Sequence, residues 1–113
     1  MSAFFNQPHV PTLSKSLAFL VVDDFEAIRR VTANQLRQLG AEKIFTAKDG
    51  KEAMGFLRNQ HIDLVLSDWN MPVMSGLELL KAMRADPKLF TIPFIMITAE
   101  AERPRVEEAI ACG

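Results

Sequence analysis

A continuous apolar run that ends at two aspartates limits most strongly what this chain can fold into. The residues from Leu17 to Val22 are all apolar, and Asp23 and Asp24 follow directly. A strand that is apolar at every position is typical of a parallel sheet, because helices cover both faces of such a sheet. The run therefore predicts a buried parallel strand with an acidic carboxyl end.

Strand-length apolar segments alternate with helical patterns along the rest of the sequence. In the first helix, the spacing of Ile28, Val31, Leu36 and Leu39 predicts the apolar face, and Gly40 predicts the end of the helix. The alternation implies right-handed crossovers, and therefore a doubly wound α/β fold with helices on both faces of a parallel sheet. The predicted elements, in chain order, are strand 17–22, helix 25–39, strand 43–47, helix 50–57, strand 62–67, helix 76–84, strand 93–97 and helix 104–111.

Length and composition indicate one small globular domain. The chain has 113 residues and a net charge of −1, so no basic excess indicates a nucleic-acid surface. Its apolar runs are too short to cross a bilayer, and residues 1–16 lack the pattern of a signal peptide. The single cysteine, Cys112, cannot form an intramolecular disulfide. We therefore expect a cytoplasmic protein that contacts neither membrane nor nucleic acid.

Polar residues follow three of the predicted strands: Asp23 with Asp24, then Asp68, then Thr98. Taken alone, each has a structural explanation, as a helix cap or a turn residue. The carboxyl ends of parallel strands meet at one edge of the sheet, where such folds bind ligands. Carboxylates gathered there repel one another, which raises their pKa values unless a cation such as Mg²⁺ lies among them. Aspartate is also a nucleophile that accepts phosphoryl groups.

Three segments resemble the receiver domains of response regulators: 19–25, 67–80 and 96–100. The Trp69 and Asn70 that follow Asp68 are similar to the chemotaxis branch of that family. The resemblance runs from about residue 16 to Gly113, which leaves residues 1–15 as an N-terminal extension. It implies the flavodoxin-like arrangement of the doubly wound sheet.

The resemblance implies a phosphoacceptor and a metal site. Asp68 matches the residue that receives the phosphoryl group. Asp24 matches a direct Mg²⁺ ligand, Asp23 an acid that acts through water, and Asn70 a residue that lends its backbone carbonyl.

It also implies a switch and a partner. Thr98 matches the hydroxyl residue that bonds the phosphoryl group on activation, and Ala99 leaves room beside it. Trp69 and Glu100 are expected to line the site. The phosphoryl donor would be a histidine kinase, and the chemotaxis branch suggests a flagellar motor switch protein as the output partner.

The sequence departs from the family after the fourth predicted helix. Receiver domains continue into a fifth strand, which ends at a lysine before a proline, and into a fifth helix; neither is found here, so four of the usual five strand–helix units are expected. Without that strand, the segment from Phe94 to Ile97 would be an open apolar edge. We therefore expect a truncated receiver, with a homodimer through this edge as one consequence. A native protein that continues beyond Gly113 is the alternative.

The leading prediction is a signalling switch rather than a metabolic enzyme. A receiver that is inactive because it lacks the lysine, and serves as an interaction module, is the alternative. An aspartyl-phosphate phosphatase is disfavoured, because Asn70 stands where such enzymes need a second acid. A flavin-binding domain is also disfavoured, since the acidic residues 23–26 would repel its phosphate.

Overall fold

Four parallel strands and three helices make up residues 16–97, the part of the chain that this computed structural model describes. The sheet order is β2-β1-β3-β4, and every pair of neighbouring strands is parallel. This confirms the predicted doubly wound fold, whereas the helix predicted at 104–111 lies outside the described residues. No helix within residues 16–97 is long and apolar enough to cross a membrane. The elements are β1 Ala18–Val22, α1 Glu26–Gln38, β2 Lys43–Ala47, α2 Gly50–Asn59, β3 Leu64–Asp68, α3 Gly76–Ala85 and β4 Phe94–Ile97.

Local signals in the sequence fix where the helices begin and end. Asp49 caps α2 by accepting the backbone N–H of Glu52 at 2.8 Å. Ser75 and Glu78 form a reciprocal capping box at the start of α3. Gly40, with a φ of 105°, takes the left-handed conformation just after α1, as predicted for a helix stop.

The core divides between the two faces of the sheet. On the face covered by α2 and α3, Leu20 and Val65 of the sheet pack with Leu79 and Met83 of α3. On the opposite face, Phe19 and Val21 pack with Leu36 of α1 and with Ala41. Because alternate residues of β1 point to opposite faces, all five residues of this strand are buried, as the continuous apolar run predicts.

The predicted apolar face of α1 is only partly right. The helix buries Ala33 and Leu36, whereas Ile28, Val31 and Leu39 are 44%, 53% and 37% exposed. These three residues lie on one flank of the helix rather than beneath it. Among residues 16–97, α1 is the only helix on its face of the sheet, so no described helix covers that flank.

The third strand ends one residue later than predicted. Asp68 is the last residue of β3 and is in register with Ile97 of β4. At the other end of β3, the carboxylate of Asp63 accepts the backbone N–H of Ala18 at 2.8 Å. Asp68 therefore belongs to the paired part of the sheet, which restricts how far its backbone can move.

Candidate functional site

Three aspartates lie together at the carboxyl ends of β1 and β3. Asp23, Asp24 and Asp68 each offer a carboxylate oxygen, and these oxygens all lie within 4.8 Å of one another. Asp23 is buried, Asp68 is half-buried and Asp24 is exposed. The two strands are neighbours in the sheet, which is why residues 45 positions apart in the sequence meet here.

Hydrogen bonds from three directions hold Asp23. Its Oδ1 accepts the N–H of Phe25 at 2.9 Å, and its own N–H donates to the carbonyl of Ala47 at 3.1 Å. The guanidinium of Arg29 donates to the backbone carbonyl of Asp23 at 2.7 Å. Nothing distinctive in the sequence points to this arginine, because the contact exists only once α1 folds back over the end of β1.

The geometry at Asp23 also bears on its explanation as a helix cap. The N-cap of α1 is Phe25, whose side chain makes no capping hydrogen bond. The Asp23 carboxylate bonds the N–H of the cap residue itself, not the N–H groups that a capping side chain normally satisfies. Neither Asp23 nor Asp24 therefore occupies the N-cap position of α1.

Asp68 is fixed by its own loop. Its Oδ1 accepts the N–H of Trp69 at 2.8 Å, and the hydroxyl of Ser67 donates to its backbone carbonyl at 2.9 Å. Trp69 is only 4% exposed, and its carbonyl accepts the N–H of Gly76 at 2.9 Å. The acidic side chain is thus anchored between a paired strand and a buried indole.

Gly76 lets α3 approach the site closely. A Cβ atom at this position would overlap the backbone carbonyl of Asp68 and would lie 2.9 Å from Sδ of Met96. Any side chain here would push the start of α3 away from the end of β3. The absence of a side chain at Gly76 therefore allows α3 to begin directly against the end of β3.

The loop between Asp68 and α3 contains a strained turn. The N–H of Met74 donates to the carbonyl of Pro72 at 2.7 Å across Val73, which has a φ of 70°. This is a γ-turn, a rare conformation that is unfavourable for a β-branched residue. The N–H of Gly50 donates to the carbonyl of Met74 at 3.3 Å, which fastens the loop to the start of α2.

Burial raises the pKa of both Asp23 and Asp68 above the ordinary value of 3.8. The backbone N–H of Phe25 opposes the rise for Asp23, and that of Trp69 opposes it for Asp68. The neighbouring carboxylates raise both pKa values further. The direction expected from charge repulsion is confirmed, but burial is the largest cause.

The donor set fits a hard divalent cation. Carboxylate oxygens are the ligands that such ions prefer, and a bound cation would offset both the burial of Asp23 and the repulsion among the three acids. Asn70 is exposed two residues after Asp68. Thr98, Ala99 and Glu100, which the sequence also assigns to the site, lie outside the described residues.

Known proteins that are similar to this chain in sequence or structure include chemotaxis regulators. Chemotaxis protein CheY-3 of Vibrio cholerae is 46% identical over 101 residues, which cover 89% of this chain and 78% of that protein. Chemotaxis protein CheY of Pseudomonas aeruginosa is 43% identical over 97 residues, which cover 86% and 78%. The structure of chemotaxis response regulator CheY4 of Vibrio cholerae matches with a TM-score of 0.79 at 35% identity, covering 87% of this chain and 82% of that one. Residues 19–113 match the response regulator receiver domain, and the chain therefore belongs to that family.

Proposed function

We propose that this chain is a phosphorylation-dependent switch in which Asp68 accepts a phosphoryl group from a histidine kinase, with Mg²⁺ in the site. The observation that carries the proposal is the convergence of three carboxylates, with oxygens within 4.8 Å of one another, at the carboxyl ends of two neighbouring strands. Membership of the receiver family supports the same reading.

The metal would be held by side chains and one backbone group. Asp24 and Asp68 would bind it directly, Asp23 through a water molecule, and Asn70 through its backbone carbonyl. When bound, the cation neutralises charge on the acids and on the incoming phosphoryl oxygens. Asp24 suits a direct ligand because it is exposed, whereas the buried Asp23 is held by its bond to Phe25.

Phosphoryl transfer would place the new bond on Asp68. A carboxylate oxygen of Asp68 attacks the phosphorus of the kinase phosphohistidine, the N–P bond breaks, and its electron pair stays on the imidazole nitrogen. Such transfer depends mainly on positioning and charge neutralisation. Anchoring of Asp68 by the Trp69 N–H and the β3–β4 pairing supplies the positioning.

On this proposal, residues around Asp68 respond to its phosphorylation. Thr98 would bond the phosphoryl group, Ala99 would leave space for it, and Glu100 and Trp69 would line the site. Thr98 follows Ile97 in the chain, and Ile97 is in register with Asp68. This register supports a role for Thr98 beside the phosphoacceptor.

Phosphorylation can be tested directly. The protein is treated with Mg²⁺ and acetyl phosphate, and intact mass and the fluorescence of Trp69 are followed together. We expect a mass increase of one phosphoryl group in the parent and none in Asp68→Asn. The variant Asp63→Asn is a matched control, because Asp63 lies at the opposite end of β3 and should not affect labelling.

Two outcomes would count against the switch. The first is an unlabelled parent whose fluorescence does not respond to beryllofluoride with Mg²⁺. The second is labelling of Asp68→Asn equal to that of the parent, which would place the phosphoryl group elsewhere.

The relatives named for chemotaxis favour a chemotaxis pathway for the switch. On this proposal the output partner is a flagellar motor switch protein. Expression in a motile strain that lacks its own chemotaxis regulator tests it. The parent should restore changes of swimming direction, and Asp68→Asn should not.

A second candidate function is association through β4. Within residues 16–97, β4 pairs with β3 alone, and its Ile95 and Ile97 are 47% and 41% exposed. An apolar strand edge of this kind favours pairing with another chain, here a second copy. Light scattering should then show a dimer that Ile95→Lys dissociates, whereas a clean monomer of the parent at micromolar concentration would oppose the idea. The division into an extension at 1–15 and a receiver from residue 16 that lacks the fifth strand and helix stays a prediction.

A further inference from the structure

An arginine-lined groove runs between α1 and the outer strand β2. Its volume is about 440 Å³. Arg29, Arg30 and Arg37 line it together with Glu26 of the same helix, and Thr46 of β2 closes the other side. Three arginines against one glutamate make this groove a basic surface on a chain whose net charge is −1.

Two of these arginines are held at the surface by exposed partners. Arg30 donates to Glu26 at 3.1 Å, and their side chains are 75% and 69% exposed. Arg37 donates to the side chain of Asn34 at 3.0 Å. Exposed contacts of this kind contribute little free energy, so a carboxylate from a partner can replace them at small cost. Arginine also binds carboxylates in a paired geometry that favours such an exchange.

The edge of β2 adds a backbone template beside the basic surface. Within residues 16–97, β2 pairs with β1 alone, so its outer edge has no strand partner in the described sheet. Lys43 begins the strand and Lys48 follows it, both exposed. A peptide that adds to a strand edge directs alternate side chains toward each face of the sheet. At β2, one of these two faces is the face that α1 covers.

We propose that this groove docks an acidic, extended segment of a protein partner, which pairs with β2 and directs alternate carboxylates at Arg30 and Arg37. A nucleic acid fits the groove less well, because Glu26 lies among the arginines and a phosphate backbone needs a longer basic surface. The docking goes beyond phosphorylation and requires neither Asp68 nor a metal. Failure of one proposal therefore leaves the other standing.

The groove also contacts the acidic site through one residue. Arg29 lines the groove and donates to the backbone carbonyl of Asp23 at 2.7 Å. A partner that draws Arg29 toward itself would loosen one of the bonds that hold Asp23. Arg29 is therefore left unchanged in the binding test, so that the acidic site stays intact.

A labelled peptide that alternates glutamate with valine tests the groove by fluorescence anisotropy. The parent should bind it, with affinity that falls as salt is added, and should bind the matched lysine–valine peptide much more weakly. The double variant Arg30→Glu with Arg37→Glu should lose roughly tenfold or more in affinity. Arg58→Glu, which removes an exposed arginine on α2 outside the groove, is the matched control and should bind like the parent.

Three results would overturn the docking proposal. One is equal affinity of the parent and the double variant, and another is an equal loss in Arg58→Glu. The third is displacement of the peptide by duplex DNA at lower concentration than by unlabelled peptide. If charge reversal unfolds the chain by circular dichroism, the milder Arg30→Gln with Arg37→Gln replaces it. The amide chemical shifts of the parent then show where the peptide binds. If the peptide occupies the groove, the shifts must change in β2 and α1 rather than in α3.

Discussion

Replacing Asp68 with asparagine should stabilise the metal-free protein at neutral pH. Asp68 shares a site with two other carboxylates, and burial together with the charge of Asp24 raises its pKa. When folding raises the pKa of an acid, the ionised form of that acid destabilises the folded protein relative to the unfolded chain. Asparagine keeps the shape of the side chain and removes the charge, so folding no longer gathers a third negative charge at this edge.

The distance between the carboxylates bounds the size of the effect. Even at 4.8 Å, the limit within which these oxygens all lie, a pair of unit charges repels by about 0.9 kcal/mol in water and by about 3.5 kcal/mol at an effective dielectric constant near 20. Asp24 is exposed, so its pair with Asp68 belongs near the lower value. We expect a gain of about 1 kcal/mol in the free energy of unfolding, and a rise in Tm of roughly 4–8 °C for each kcal/mol.

The pH dependence gives the sign of the effect. The folded protein binds a proton at Asp68 more readily than the unfolded chain, whose aspartate titrates near 3.8. The stability that the parent gains from this proton is full below about 3.8 and is lost as pH rises through the folded pKa. The advantage of Asp68→Asn should therefore be largest at neutral pH and should vanish in acid. Thermal melts from neutral to acid pH, in chelator, measure it.

Asp63→Asn is the control of opposite sign. The Ala18 N–H that donates to Asp63 lowers the pKa of this carboxyl, so its charge stabilises the fold above the ordinary pKa and the benefit is lost as pH falls. The asparagine variant should melt below the parent at neutral pH.

Mg²⁺ supplies the second arm of the same experiment. At one hundred times its Kd, a ligand that binds only the folded state stabilises it by about 2.7 kcal/mol. Mg²⁺ should raise the Tm of the parent well above its effect on Asp68→Asn. The reasoning would be refuted if Asp68→Asn melted at or below the Tm of the parent in chelator. It would also be refuted if Mg²⁺ raised the Tm of Asp68→Asn as much as that of the parent.

Three glycine-related predictions follow, each checked by urea unfolding. Gly76→Ala should lose about 2 kcal/mol or more, because its Cβ would overlap the carbonyl of Asp68; an unchanged midpoint would contradict that contact. Gly55→Ala should raise the free energy of unfolding by about 0.5–1 kcal/mol, since its Cβ would enter open space on α2. A loss would mean that another part of the chain packs against this position. Val73→Gly should gain about 1 kcal/mol by removing strain at a φ of 70°, and a loss would mean that the valine side chain stabilises the turn.

The fold was largely predictable because its signals are local. A continuous apolar run needs helices on both faces wherever it lies, and β1 is buried at all five positions. Asp49 stands directly before an amphipathic segment, and it caps the helix that the segment forms. The carboxyl ends of β1 and β3 were predictable to within one residue in the same way, and with them the meeting of Asp23, Asp24 and Asp68.

Contacts that depend on how elements dock were not predictable. The spacing of Ile28, Val31 and Leu39 marks an apolar flank of α1, but the helix rests on the sheet through Ala33 and Leu36. A sequence pattern shows which residues share a flank. It does not show which flank the sheet covers, because that depends on the helices that pack alongside.

The aspartates of this chain differ in what their folded surroundings do to the charge. Asp63 receives a backbone N–H near the surface, and the net effect of its surroundings is a lowered pKa. Asp23 and Asp68 receive backbone N–H groups as well, yet burial and neighbouring charges outweigh those bonds and raise their pKa values. Backbone pairing of β1 and β3 holds the unfavourable cluster in place, since Val22 and Ser67, the residues just before Asp23 and Asp68, are in register. A cost of this kind persists where a site needs it, so the raised pKa values of Asp23 and Asp68 support the place of these two residues in the proposed metal site.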